Sequence, residues 1–293
     1  MRILVTGGSG LLGSRLTEIA LQEGHEVFSG YNRNLPEKGH PVQFDLAADN
    51  GILKAIDRSR PEVVFHTAAL TDVDRCEVDR DLAYQINVRG TKILAEAARQ
   101  AGAYTVYIST DYVFDGSRGM YREDCAADPV NHYGFTKLLG EKYADCVARS
   151  CVIYGSRPAS GKINFVLWIL DKLSKEENIK IIQDQHISPT LNTNLAKMLL
   201  EAAERHLEGI WHLAGSTSIS RYNFACQLAD EFGLNKDCLI PSRMADMNWR
   251  ARRPDDSSLD VSKAERRLKE KPYNLAKSLK TLKEEILSCC QEL

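Results

Sequence analysis

Ile3-Leu4-Val5-Thr6-Gly7-Gly8-Ser9-Gly10-Leu11-Leu12-Gly13 opens the chain with an apolar run that stops at a cluster of glycines. An amphipathic stretch follows at once, with Leu12, Leu16, Ile19 and Ala20 at helical spacing. That pattern reads as strand, tight turn, helix. Glycine reaches positive φ and lets a backbone come close to a ligand. The N–H groups of the new helix and the positive end of its dipole face whatever occupies the turn, and a pyrophosphate fits there. Two glycine spacings overlap: G-x-G-x-x-G through Gly8, Gly10 and Gly13, and G-x-x-G-x-x-G through Gly7, Gly10 and Gly13. Such a motif is weak alone, but it gains weight directly after a first strand and at the start of a first helix. Gly7, Ser9, Gly10, Leu11, Leu12 and Gly13 are the residues expected against the phosphates.

Working outward, strand-like runs recur at 2–6, 25–30, 41–45, 61–66, 103–109 and 148–154. Helical patterns sit between most of them, at 11–23, 48–59, 80–101 and 131–147. Strands that alternate with helices predict an α/β fold, a doubly wound parallel sheet of the Rossmann type. Ligands then bind at the carboxyl ends of the strands, so the loops of interest are 7–13, 31–34, 67–76, 109–124 and 154–162. After residue 155 the alternation loosens. Helices are expected at 162–175, 192–207, 220–233 and 273–290, and strands at 178–183 and 209–213. The expected division is a nucleotide-binding domain at 1–155, its sheet completed by the later strands near 178–183 and 209–213. A smaller, mostly substrate-binding lobe at 156–293 completes it.

Bulk properties suit an enzyme in the cytoplasm. The chain has 293 residues, of which 43% are hydrophobic and 27% charged, with a net charge of −2. That balance points to neither nucleic acid nor a membrane surface as a partner. The first strand begins within two residues of the start, which leaves no room for a signal peptide. Eight cysteines occur without a C-x-x-C pair and read as free thiols, Cys289 and Cys290 being open to air oxidation. The seven histidines show no paired ligand spacing, so no metal is expected. A second copy of the chain, in a homodimer, is a candidate partner.

The loop after the second strand reads Gly30-Tyr31-Asn32-Arg33-Asn34. An NAD site usually places an acid here for the ribose 2′-hydroxyl. The first acid is Glu37, too late, whereas Arg33 offers a planar cation suited to a 2′-phosphate. NADP(H) is therefore expected over NAD(H), with Asn32 and Arg33 at its adenosine end. Asp45 and Leu46 are placed to cover the adenine, and the small Ala68 and Ala69 to let the dinucleotide pass.

Chemistry is carried by Ser109-Thr110-Asp111-Tyr112 at a strand end and by Tyr133-Gly134-Phe135-Thr136-Lys137 at a helix start. Tyr133 and Lys137 are four apart and share a helix face. A nearby ammonium is expected to lower the phenol from its usual pKa of about 10. Tyr133 could then give a proton to a carbonyl oxygen as hydride reaches carbon. Thr110 could donate to the same oxygen, and Lys137 could also hold the nicotinamide ribose. A Y-x-x-x-K pair occurs often by chance on amphipathic helices; the glycine loop and the Ser-Thr strand end give it context.

On these residues the chain resembles the extended short-chain dehydrogenase/reductases, and among them the dTDP-4-dehydrorhamnose reductases over nearly its full length. The marks are Ser109-Thr110-Asp111-Tyr112-Val113-Phe114, Tyr133-Gly134-x-Thr136-Lys137-Leu138-x-Gly140-Glu141, Gln185-x-x-x-Pro189-Thr190, Gly209-Ile210-Trp211-His212-Leu213 and Ala251-Arg252-Arg253-Pro254. The resemblance implies an NADPH-dependent reductase of a 4-keto nucleotide sugar, with Thr110, Tyr133 and Lys137 as the catalytic set. The same elements occur, altered, in the regulatory beta subunit of methionine adenosyltransferase, which implies an NADP-binding partner protein as the alternative. A related epimerase or dehydratase is a third reading; a dehydratase normally needs an acid pair, and Thr110-Asp111 has no glutamate after it.

One departure bears on the substrate. The reductases usually carry R-T-S-W-V-Y at the sixth strand, with the tryptophan against the sugar. Here the segment is Arg149-Ser150-Cys151-Val152-Ile153-Tyr154, and Val152 replaces that tryptophan. Asp111 and Val152 are expected near the substrate. Arg252 and Arg253 read either as a diphosphate site, which the resemblance favours, or as a solvated basic loop. Asn87 reads either as a buried amide bonded to backbone or as a support for the active-site strand. Thr71, Asp72 and Asp74 read as loop polar groups facing the cleft.

Overall fold

Short runs of β-branched and apolar residues, Ile3-Leu4-Val5 and Val63-Val64-Phe65 among them, form the middle of a parallel sheet buried on both faces. The computed structural model describes residues 1–159 and 163–291. The end of the loop at 154–162, and the side chains of Cys289 and Cys290, lie outside the described residues. The strands β1 (Arg2–Thr6), β2 (Glu26–Tyr31), β3 (His40–Gln43), β4 (Val63–His66), β5 (Tyr104–Thr110) and β6 (Cys146–Ser150) come first. Between them run α1 (Leu11–Gln22), α2 (Asp49–Ser59), α3 (Val73–Val78), α4 (Arg80–Tyr84), α5 (Thr91–Gln100) and α6 (His132–Glu141). The later chain adds β7 (Ile153–Tyr154), α7 (Phe165–Ser174), β8 (Ile179–Ile182), β9 (His186–Ile187), β10 (Thr190–Leu191), α8 (Asn192–Glu204) and β11 (Gly209–His212). It ends with β12 (Ile219–Ser220), α9 (Arg221–Phe232), β13 (Leu239–Ser242), α10 (Ser262–Arg267) and α11 (Leu275–Gln291).

The central sheet has seven strands in the order β11-β6-β5-β4-β1-β2-β3, every pairing parallel. The order reverses between β1 and β4, so the glycine loop after β1 opens at the switch point, where ligands bind in such sheets. Leu16, Ile19 and Leu199 of α1 and α8 pack one face of the sheet. Ile52, Ile56 and Leu94 of α2 and α5 pack the other. A separate core joins α7, α9 and α11 to β8 and β13 through Ile169, Phe224, Leu228, Ile181 and Leu279. None of the described helices is long and apolar enough to cross a membrane.

Several sequence expectations change. The strand near 209–213 does complete the central sheet, as β11. The strand near 178–183 does not; β8 pairs in parallel with β13 in the smaller core. The helix expected at 80–101 is present, helical without interruption from Arg80 to Gln100, but its middle is wound as a π-helix. Asp72 and Asp79 cap α3 and α4 by accepting from the backbone N–H of Arg75 and Leu82, and a wide π-helical turn at Gln85–Gly90 precedes α5. The helix expected at 131–147 stops at Glu141, and the strand expected at 148–154 begins at Cys146 and breaks at Cys151-Val152. Val152 sits there at φ 38°, an unusual conformation for a β-branched residue.

Candidate active site

A cleft of about 770 Å³ opens along the carboxyl ends of β1, β2, β4, β5 and β6. Gly7, Ser9, Gly10, Leu11, Leu12, Gly13, Asn32, Arg33, Asp45, Leu46, Ala68 and Ala69 line it together with Thr110, Asp111, Tyr133, Lys137 and Val152. Residues scattered from 7 to 152 in the chain thus meet in one cavity.

The glycine loop is shaped to admit a polar chain. Gly7 has φ 67°, and a Cβ on Gly13 would lie 2.2 Å from the Gly7 carbonyl oxygen. Of the two glycine spacings, the one through Gly7 faces the cleft; Gly8 instead packs against Ser29, which a Cβ would meet at 2.8 Å. The N-cap of α1 is Gly10, with no side-chain cap and no acid in the first turn. Its first N–H groups therefore remain for an anion. Arg33 is exposed and makes no hydrogen bond or ion pair among the described residues. This cradle fits a dinucleotide that carries a 2′-phosphate.

At the reacting end, Asn131 caps α6 by accepting from the Gly134 N–H at 2.9 Å, which sets Tyr133 in the first turn. Gly134 allows the close packing, since a Cβ there would lie 2.0 Å from the Tyr112 carbonyl oxygen. Burial pushes the Tyr133 phenol above its usual pKa, against a hydrogen bond to Thr110 that draws it down. The expected lowering of the phenol by Lys137 is therefore overturned. The lysine itself yields: burial draws Lys137 down to about 7, with the Glu141 carboxylate pulling it back up. Glu141 is held by Arg149 at 2.7 Å and by the Ser109 hydroxyl, which donates at 2.6 Å. All three are buried, Ser109 at the wall of the cleft.

Thr110 is wired differently from expectation. Its hydroxyl donates to Asp111 Oδ1 at 3.0 Å and accepts from the Tyr112 N–H at 3.2 Å. Asp111 Oδ2 accepts from the Ser257 hydroxyl at 2.5 Å and the Cys151 thiol at 3.0 Å. Burial raises this carboxyl against those three donors. Asp111 is thus an organiser of Thr110 more than a free contact for a ligand. Asn87 is the buried amide bonded to backbone: its Oδ1 accepts from the Leu70 N–H at 2.8 Å and its Nδ2 donates to Leu70 O at 3.1 Å. It reaches the helix α6, not the active-site strand, by donating to Thr136 Oγ1 at 3.1 Å.

The Arg252–Arg253 expectation is not supported by where those side chains lie, since neither lines the cleft. Arg253 donates to Asp74 Oδ1 at 2.9 Å and to Ala251 O at 2.7 Å, and stacks on Trp249. Asp74 also accepts from the N–H groups of Arg250 and Ala251, and is consumed by that loop. Arg252 is exposed, and only its carbonyl reaches the site region, accepting from Asn131. The cleft instead contains Arg221, Asn164 and Phe165, which sequence reasoning did not single out. Arg221 had no signal beyond its place at a helix start.

A family model described as the RmlD substrate binding domain matches residues 1–287. The chain belongs to that family. Among RmlD-family relatives, it is 29% identical to the dTDP-4-dehydrorhamnose reductase of Aggregatibacter actinomycetemcomitans, over 96% of this chain and 98% of that one. It is 33% identical to the methionine adenosyltransferase 2 subunit beta of Pongo abelii, over 90% of this chain and 81% of that one. The crystal structure of a Bacillus anthracis dTDP-4-dehydrorhamnose reductase in complex with NADP superposes with a TM-score of 0.86 at 28% identity, covering 97% of this chain and 99% of that one. The RmlD-family fold, an extended short-chain dehydrogenase/reductase, is thus shared over residues 1–287.

Proposed function

We propose that this chain is an NADPH-dependent oxidoreductase that reduces the 4-keto group of a nucleotide-linked deoxysugar, in the manner of the dTDP-4-dehydrorhamnose reductases. The observation that carries the reading is the meeting of Thr110, Tyr133 and Lys137 with the glycine loop and Arg33 in one cleft. Family membership supports it.

Gly7, Gly10 and Gly13 would hold the pyrophosphate, Arg33 the 2′-phosphate and Lys137 the nicotinamide ribose. The cofactor, when bound, supplies the hydride. Tyr133 keeps its proton throughout the physiological range, because burial lifts the phenol above about 10. It is therefore a proton donor from its Oη to the carbonyl oxygen of the sugar. Thr110, fixed by donating a hydrogen bond to Asp111, would hydrogen-bond the Tyr133 hydroxyl and so orient it. The six described free thiols suit a reducing compartment, which supports the cytoplasm as the place of work.

The likeness to the methionine adenosyltransferase beta subunit sustains a second reading, a regulatory protein that binds NADP(H) without turnover. A panel of 4-keto nucleotide sugars offered with NADPH separates the two. Oxidation of NADPH by any of them is expected; tight NADPH binding with none turned over would favour the regulatory reading.

A further inference from the structure

We propose that Arg221 is the cation that grips the diphosphate of the nucleotide-linked substrate, on the side of the cleft formed by α7 and α9. This rests on the reductase reading above and assigns a residue to its diphosphate.

Arg221 begins α9, directly after the N-cap Ser220, and lines the cleft with Phe165. Its side chain is fixed before any ligand arrives. Nε donates to Gln185 Oε1 at 2.5 Å, and the Arg221 N–H donates to the Gln185 carbonyl at 3.1 Å. Gln185 is itself fully buried and anchored, its Nε2 donating to Pro254 O at 3.0 Å. The guanidinium lies 5.3 Å from the centroid of the Phe165 ring. Its ordering cost is largely met in the free protein.

Every partner named so far is neutral. Among the described residues no carboxylate pairs with Arg221, and its two terminal amino groups make no hydrogen bond. A planar fork held by a buried amide and an aromatic face, with its two outer nitrogens open to a cleft, matches two oxygens of a phosphate. The charge also acts on Asp111 and Tyr112, next to Thr110, so this guanidinium stands near the reacting end of the cleft. A diphosphate attached to the reacting sugar would fall there. Arg253 also stacks on an aromatic ring and its charge also reaches Tyr112, but Asp74 already pairs with it and it does not line the cleft.

The test is equilibrium binding of thymidine diphosphate, thymidine and NADPH to wild type, Arg221→Met and Arg221→Lys, with thermal melting of each. Losing a two-pronged charged contact should weaken thymidine diphosphate about ten- to hundredfold in Arg221→Met, while thymidine and NADPH binding hold. Arg221→Lys should fall between, keeping the charge and losing the fork, and it carries the test if the methionine variant does not fold. A folded Arg221→Met that binds thymidine diphosphate like wild type overturns the assignment. So does a variant whose NADPH affinity falls as far as its diphosphate affinity. A wild type that turns over keto-sugars with either result leaves the reductase reading standing. A wild type that binds no nucleoside diphosphate and turns over no keto-sugar removes both.

Discussion

The Nζ of Lys137 lies 4.0 Å from the centroid of the Tyr107 ring, and both side chains are buried. The face of the ring is the negative part of its quadrupole and favours the ammonium, while burial favours the free amine. Burial wins, and the amine is drawn down to about 7. The lysine is therefore divided between its two forms near neutrality until a ligand decides.

That division should appear in cofactor binding. A ribose hydroxyl accepting from Nζ, with the negative charge of the cofactor in the same cleft, would favour the charged form, so binding should raise the Lys137 pKa. Between pH 7 and 9 the complex should take up a proton, and NADPH affinity should fall as pH rises through that window, by up to about tenfold per unit. Calorimetric titrations in buffers of different ionisation enthalpy measure the uptake directly. Lys137→Met should abolish it; proton release by wild type would contradict the assignment.

Cofactor choice should depend on Arg33. It is exposed, lies in the cleft and has no carboxylate beside it at the end of β2. Arg33→Ala should weaken NADPH about ten- to hundredfold and leave NADH nearly unchanged. Equal dissociation constants of the two cofactors for wild type would defeat this.

Stability should fall in acid because of His66. The ring is buried between two hydroxyls, Thr6 Oγ1 at 2.8 Å and Thr91 Oγ1 at 2.9 Å, and burial with the Lys137 charge lowers its pKa from 6.5 to about 3. The unfolded chain binds the proton first. The stabilisation is complete above about 6.5 and is lost as pH falls toward 3. Between pH 6.5 and 5 the loss should be roughly 2 kcal/mol. Urea unfolding at stepped pH measures it, and the slope should be shallower by that amount in His66→Gln. An identical slope in the variant would exclude His66 as the cause.

What could be read from the chain alone was local. The glycine loop and the Tyr133–Lys137 pair each lie within one strand-turn-helix or one helix turn, so spacing alone aligns their atoms. The fate of Ile179–Ile182 could not be read. A short apolar run carries no mark of its partner, and β13 lies some sixty residues on. Arg253 and Arg221 were opaque for the same reason. Whether a guanidinium is spent or open depends on Asp74 and Gln185, brought in from elsewhere by the fold. The phenol of Tyr133 was misjudged because spacing reports the nearby lysine and says nothing of burial, which dominates both groups.

The central claim is that Tyr133 gives the proton while hydride is delivered, and one comparison tests it most directly: kcat of wild type and Tyr133→Phe with NADPH and dTDP-4-dehydrorhamnose. The ring stays and only the donor is lost, so turnover should fall roughly 10²–10⁴-fold with NADPH affinity unchanged. A Tyr133→Phe enzyme that turns over an accepted keto-sugar at the wild-type rate would contradict the account.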